Sequence, residues 1–274
     1  MNESPLIQHY QEKQEAFHLC FKRALEKHSI EDIHQLRLSL KRLKALWSLM
    51  EFISPGSVNK KEYSLLILKL FKEAGDVRDT QVSLAVIGKS RALYLKPFTE
   101  HLREAQSTAN EKLLATMRVF DFKRLEKLNN KLLQEMNGLS AEIVLQQSAT
   151  YVLKKIRKVR ELKDRFPHNR KLHKIRIHLK VVIEILKIMS KLNAATRLGE
   201  LTSNLRSIDK RIGKWHDNII LLTSLNDFTS QNTRKNNGHL NNLIDRIHRQ
   251  QETKQQYILE LMNQYITSGQ LKKN

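Results

Sequence analysis

The pattern His-x2-Arg-x3-Lys occurs twice in this 274-residue chain: as His34, Arg37 and Lys41, and as His173, Arg176 and Lys180, 139 residues later (173 minus 34). A second signature follows each copy. Gly75-x3-Asp79 begins 41 residues past His34 (75 minus 34), and Gly213-x3-Asp217 begins 40 residues past His173 (213 minus 173). Core packing does not call for one polar array twice in register. The doubling points to two helical halves presenting related basic rows to a shared anionic ligand.

At 100° per residue, positions i, i+3, i+7 and i+10 fall within an arc of about 80° on a helix. His34, Arg37, Lys41 and Lys44 therefore line one face over roughly three turns. His173, Arg176 and Lys180 repeat that row, and Lys187, at i+14, extends it. No acid stands between His34 and Lys44, or between His173 and Lys180. Like charges at this spacing repel by a few tenths of a kcal/mol per pair, and a solvated face usually interleaves Glu with Lys to relieve that cost. Uninterrupted rows suit an anion better than they suit plain surface. Ile33, Leu36, Leu40 and Leu43 run beside the first row, and Leu172, Ile175, Leu179 and Leu186 beside the second. Each helix is thus expected to bury one side and turn its cations to a cleft.

Helix signals dominate the rest of the chain. Eight Gly and four Pro leave few breaks, and no segment sustains a period of two. Helices are predicted over 3–27, 31–53, 58–74, 78–88, 98–119 and 121–136, then over 141–165, 169–191, 195–212, 215–228 and 239–267. Turn chemistry separates them at Ser54-Pro55-Gly56, Asn137-Gly138, Phe166-Pro167 and the polar run from Thr229 to Gly238. Ser29 and Asp32 are set to cap the first signature helix, and Pro97 suits a helix start. The expected fold is all-α, a single domain over 1–274. Its halves, 1–138 and 139–274, would each supply about four main helices around a central basic groove.

The chain carries 49 Lys and Arg against 28 Asp and Glu, a net charge of +21, which predicts a polyanionic partner. Its single cysteine, Cys20, cannot form an intrachain disulfide and indicates a reducing compartment. The N-terminal MNESPLIQHYQ lacks the pattern of a secretory signal, and the longest aliphatic stretch, Leu65 to Leu68, is too short for a bilayer. A cytoplasmic protein with no membrane partner is expected.

Taken in order, His34-Gln-Leu-Arg37, Lys41-Arg42-Leu-Lys44 and Gly75-Asp-Val-Arg78-Asp79-x2-Val82 resemble the CHAD family, the conserved histidine α-helical domain. Leu172-His173-x2-Arg176-Ile177-x2-Lys180 and Ile212-Gly213-x3-Asp217 carry the same resemblance, which covers roughly residues 10–270. It implies two pseudo-repeated four-helix bundles whose basic cavity binds inorganic polyphosphate without catalysis, with polyphosphate granules as an expected location. It also implies a stand-alone domain, because the alternating Glu-x-Glu-x-Lys strands of a CYTH triphosphatase partner are missing. Two departures stand out. Val181-Val182-Ile183 follow Lys180 where the family usually continues with basic and aromatic residues, and the position of Arg78 is taken by His216 in the second copy.

The resemblance and the rows together nominate His34, Arg37, Lys41, Arg42, Lys44 and Arg78, with His173, Arg176, Lys180 and Lys187, as polyphosphate ligands. The forked guanidinium takes two phosphate oxygens, lysine supplies a point charge, and a protonated histidine donates two hydrogen bonds. Asp79 and Asp217 are read either as carboxylates that steady these cations or as caps of a helix beginning after each glycine. No catalytic residue, metal or other cofactor is expected. Lys154, Arg157 and Lys158 either line the same groove or form plain surface.

Two other functions remain at this level. A protein of charge +21 binds nucleic acid adventitiously at low salt, although 6% aromatic content offers few stacking platforms. A metal-dependent HD-type phosphohydrolase could use His178, His216, Asp217 and Asp245. Against it, His216 aligns with Arg78 and the first copy has no such pair.

Overall fold

Few helix breakers and a sustained 3.6-residue apolar period leave this chain little choice but helix. The computed structural model bears this out, describing residues 4–56, 58–88, 90, 92–164, 169–192, 196–231 and 238–267. Among them are nine α-helices and no strand: α1 Pro5–Lys27, α2 Ile30–Ile53, α3 Lys60–Ile87, α4 Lys96–Arg118, α5 Phe122–Asn137, α6 Ala141–Asp164, α7 Asn169–Leu192, α8 Thr196–Gln231 and α9 Gly238–Met262. A π turn, Asn263–Thr267, continues α9. The fold is all-α, as expected.

Several helix ends follow local chemistry. The Ser29 side chain accepts from the Asp32 amide at 3.1 Å and caps α2. Pro97 sits in the first turn of α4, where its missing N–H costs nothing. Gly56, in the turn after α2, has φ +86°, a conformation that side-chain-bearing residues rarely adopt.

The breaks expected at the two signature glycines are absent. Helix α3 runs through Gly75 and α8 runs through Gly213. A glycine costs a helix interior about 1 kcal/mol, too little to end it while its neighbours stay packed. Ala74 and Val77 around the first, and Ile212 and Trp215 around the second, are buried. The capping role for Asp79 and Asp217 therefore falls, since no helix begins after either glycine. Helix α8 also takes in Thr229–Gln231 of the expected polar loop. The Phe166-Pro167 turn and residues 232–237 lie outside the described residues.

Neighbouring helices pack in chain order from α1 to α4 and from α6 to α9, and α2 lies against α7 while α3 lies against α8. One apolar core runs through both sets, drawing Leu36, Leu40 and Leu43 from α2 and Leu172, Ile175 and Leu179 from α7. A second apolar cluster joins the far end of α8 to α4 and α9 through Leu225, Phe98 and Leu240.

The rotation of α2 is fixed by a buried polar chain. Trp47 Nε1 donates to Tyr10 Oη at 3.0 Å, Tyr10 Oη donates to Asn129 Oδ1 at 2.6 Å, and Tyr63 Oη donates to the same oxygen at 3.4 Å. Four helices are tied there, which leaves the basic row of α2 facing α7 and α3. No helix of the described residues is long and apolar enough to cross a membrane.

Candidate anion-binding groove

Packing α2 on α7 and α3 on α8 brings the two basic rows together. Arg37 and Lys41 on α2 feel the fields of Arg176 and Lys180 on α7, and each lysine is held below its ordinary value. Lys41 is pushed down to about 7, first by burial and then by Lys180, Arg37 and Arg176. Lys180 falls by burial and by Arg176, with Asp209 opposing.

Each signature glycine has a steric reason. A Cβ built on Gly75 would overlap Nη1 of Arg37, and one on Gly213 would come within 3.0 Å of Nη2 of Arg176. The guanidinium of each row thus lies on the bare backbone of the neighbouring helix. His-x2-Arg and Gly-x3-Asp are two sides of one contact, formed once between α2 and α3 and again between α7 and α8.

The floor of the groove differs between the two sides. Four residues before Gly75 stands Phe71; four before Gly213 stands Asp209. The ring of Phe71 lies under the first row, 5.0 Å from Arg37 Cζ, 4.8 Å from Lys44 Nζ and 6.0 Å from Lys41 Nζ. Arg37 Nη1 also donates to the Phe71 carbonyl at 3.2 Å. On the other side Asp209 Oδ1 accepts from Arg176 Nε at 3.4 Å, and its Oδ2 lies 4.0 Å from Lys180 Nζ.

The remaining signature residues gather at the same place. His34 is lowered by burial and then by Arg78, and His173 by burial and then by Arg176. The rings of His173 and His216 pack at 4.9 Å, and His216 is pushed down to about 4, by burial before Arg176 and His173. Arg78 Nη1 donates to Gln81 at 3.5 Å. Asp79 and Asp217 are both raised by burial; Arg37 opposes the shift in the first, Arg176 and Arg78 in the second.

One nominated residue is engaged elsewhere. Lys187 Nζ is ion-paired at 2.8 Å to Glu184, which is 4% exposed. Burial alone would raise Glu184, but His9, Lys187 and Arg42 outweigh it and hold its carboxyl down at about 2. Lys187 thus holds a buried carboxylate between α1 and α7, to which Arg42 adds its field, with His9 Nε2 3.6 Å from Glu184 Oε1. Glu184 falls only 20° from His173 on the helical wheel, so an acid interrupts the second row before Lys187.

Three groove residues carried no signal of their own: Phe71, Asp209 and Lys254 of α9, which faces Asp217. Their partners lie on other helices, where single-helix periodicity does not reach. The HD-type constellation is not assembled, because His178 faces Lys155 and Lys158 of α6. Burial raises the Cys20 thiol, the opposite of activation.

Fold and site define a class: an all-helical protein in which cations from two pairs of packed helices come together. The CHAD domain family model matches residues 15–226, and the chain belongs to that family. Among solved structures it is similar to the crystal structure of the CHAD domain from the plant Ricinus communis, at a TM-score of 0.72 and 15% identity, over 96% of this chain and 91% of that one. No curated protein matches.

Proposed function

We propose that this protein binds inorganic polyphosphate in the groove between α2 and α7, without chemical change to it. One observation carries the reading: Arg37 is seated on Gly75 and Arg176 on Gly213 in helices packed against one another, where Lys41 and Lys180 are held down by burial first and then by these neighbouring cations. An anion entering there relieves repulsion already present in the fold, so binding is favoured beyond simple charge attraction. Polyphosphate offers no base or sugar, which suits a site of guanidinium forks and ammonium points. The family membership supports the same ligand, and a place on polyphosphate granules would follow from it.

Arg37→Gln with Arg176→Gln should weaken binding of long-chain polyphosphate by roughly a hundredfold, about 1.5–3 kcal/mol for each charge-assisted contact being the upper scale. Lys127→Ala with Lys131→Ala, on the exposed face of α5, removes the same charge and should cost far less. Equal losses would mean that net charge, not the groove, does the binding.

Nucleic acid is the competing ligand. Phe71 is already covered by its own row, which leaves it a poor platform for stacked bases. Polyphosphate bound at about 0.3 M salt should therefore survive a challenge with equal phosphate equivalents of single-stranded RNA or duplex DNA. Easy displacement by RNA would reverse the assignment.

A further inference from the structure

The two rows are written alike, but their neighbours at the position four residues before the glycine are not. Phe71 meets the first row with an aromatic face, which draws the cations without neutralising them. Asp209 meets the second with a carboxylate, 3.4 Å from Arg176 Nε and 4.0 Å from Lys180 Nζ. Both distances are long for a charge-assisted bond, which is best near 2.7–2.9 Å. Arg176, Lys180 and Asp209 also keep 23%, 27% and 22% of their side-chain surface open to solvent. A loose, half-open ion pair is one that a stronger anion can displace. Its two cations are among those that converge on the groove.

We propose that Asp209 is a built-in counter-ion, holding Arg176 and Lys180 in the empty groove and yielding them when polyphosphate arrives. This deepens the polyphosphate reading and rests on it. The charges facing Asp209 are those of Arg176 and Lys180 on α7, with Lys41 on α2 close enough to feel it. The groove therefore has unequal sides. At this position the α2–α3 side has Phe71 beneath its cations, with Arg37 also feeling the Asp79 carboxylate, whereas the α7–α8 side must release Asp209. Asp209 sets affinity downward, and keeps small, weakly charged anions from occupying the second row.

The test is titration of long-chain polyphosphate and of inorganic phosphate into the wild type, Asp209→Asn and Phe71→Asp. Asp209→Asn should bind polyphosphate roughly tenfold more tightly, the scale of one unit charge removed a few ångströms away in a half-buried site. It should also gain measurable affinity for inorganic phosphate. Phe71→Asp installs the same counter-ion on the first side and should weaken polyphosphate binding by a similar factor. Circular dichroism confirms the helical fold of each variant, and Asp209→Ser repeats the test if the amide disturbs packing. Wild type that binds while Asp209→Asn and Asp209→Ser bind no more tightly overturns the counter-ion role alone. Wild type that binds no polyphosphate overturns the functional reading, and this inference with it.

Discussion

Lys41 is the residue on which pH should act. Its folded value near 7 lies well below the ordinary lysine value, with burial the first cause and the neighbouring cations the next. Between about pH 7 and 10 the unfolded chain then holds a proton that the empty protein lacks, so this group makes stability rise with pH across that window. Ligand binding has the opposite sign. Bound polyphosphate favours the ammonium, a proton must be taken up, and affinity falls as pH climbs through the same range. Calorimetry at pH 7.5 in buffers of different ionisation enthalpy should register that uptake, and Lys41→Gln should cut it to the share that Lys180, also lowered, contributes. His34 and His173 are lowered as well, by burial first, so they add proton uptake at lower pH than Lys41 does. The double variant His34→Gln, His173→Gln should flatten only the acid side of the profile. Uptake at pH 7.5 that is unchanged without Lys41 would remove it from the groove's chemistry.

At the scale of the helix, Gly75 and Gly213 give the sharpest test. Gly75→Ala should gain about 1 kcal/mol of helix propensity and lose about as much with the Arg37 bond to the Phe71 carbonyl. The melting temperature should therefore move by no more than about 3 °C. Polyphosphate affinity should nonetheless drop several-fold, because the new methyl takes the place of the guanidinium tip. A stable variant with unchanged affinity would show that Arg37 does not need that seat. The same residues mark what a linear sequence can disclose. The rows of α2 and α7 were legible, since periodicity lies within one helix. The continuity of α3 and α8 was not, because a glycine that ends a helix and one that admits a neighbour's side chain look alike. Phe71 and Asp209 were hidden for the same reason: their partners are 34 and 33 residues away. Glu184 was in plain view, and its place on the wheel was the overlooked sign that Lys187 is not available as Lys180 is.

For the whole molecule, the groove is a site of stored repulsion spanning α2, α3, α7 and α8. Polyphosphate should raise the melting temperature by mass action, by about 2.7 kcal/mol of stabilisation at a hundredfold excess over Kd. Differential scanning fluorimetry should record the rise in the wild type and lose it in the Arg37→Gln, Arg176→Gln variant at the same concentration. A rise of equal size in both would place the anion elsewhere.

Helix α8 is 36 residues long and unbroken, a rod of about 54 Å at 1.5 Å per residue. Asp209 and Gly213 ride on one stretch of it, while Leu221, Leu225 and Phe228 ride on another, seated in the second apolar cluster. A continuous helix carries displacement along its length. If the groove widens or narrows around its cargo and α8 tilts with it, the far arm shifts against α4 and α9. There it borders a cavity of about 200 Å³ lined by Val86, Asn218, Leu243 and Arg246. Motion begun at the charged end would reach that cavity as a change in its shape.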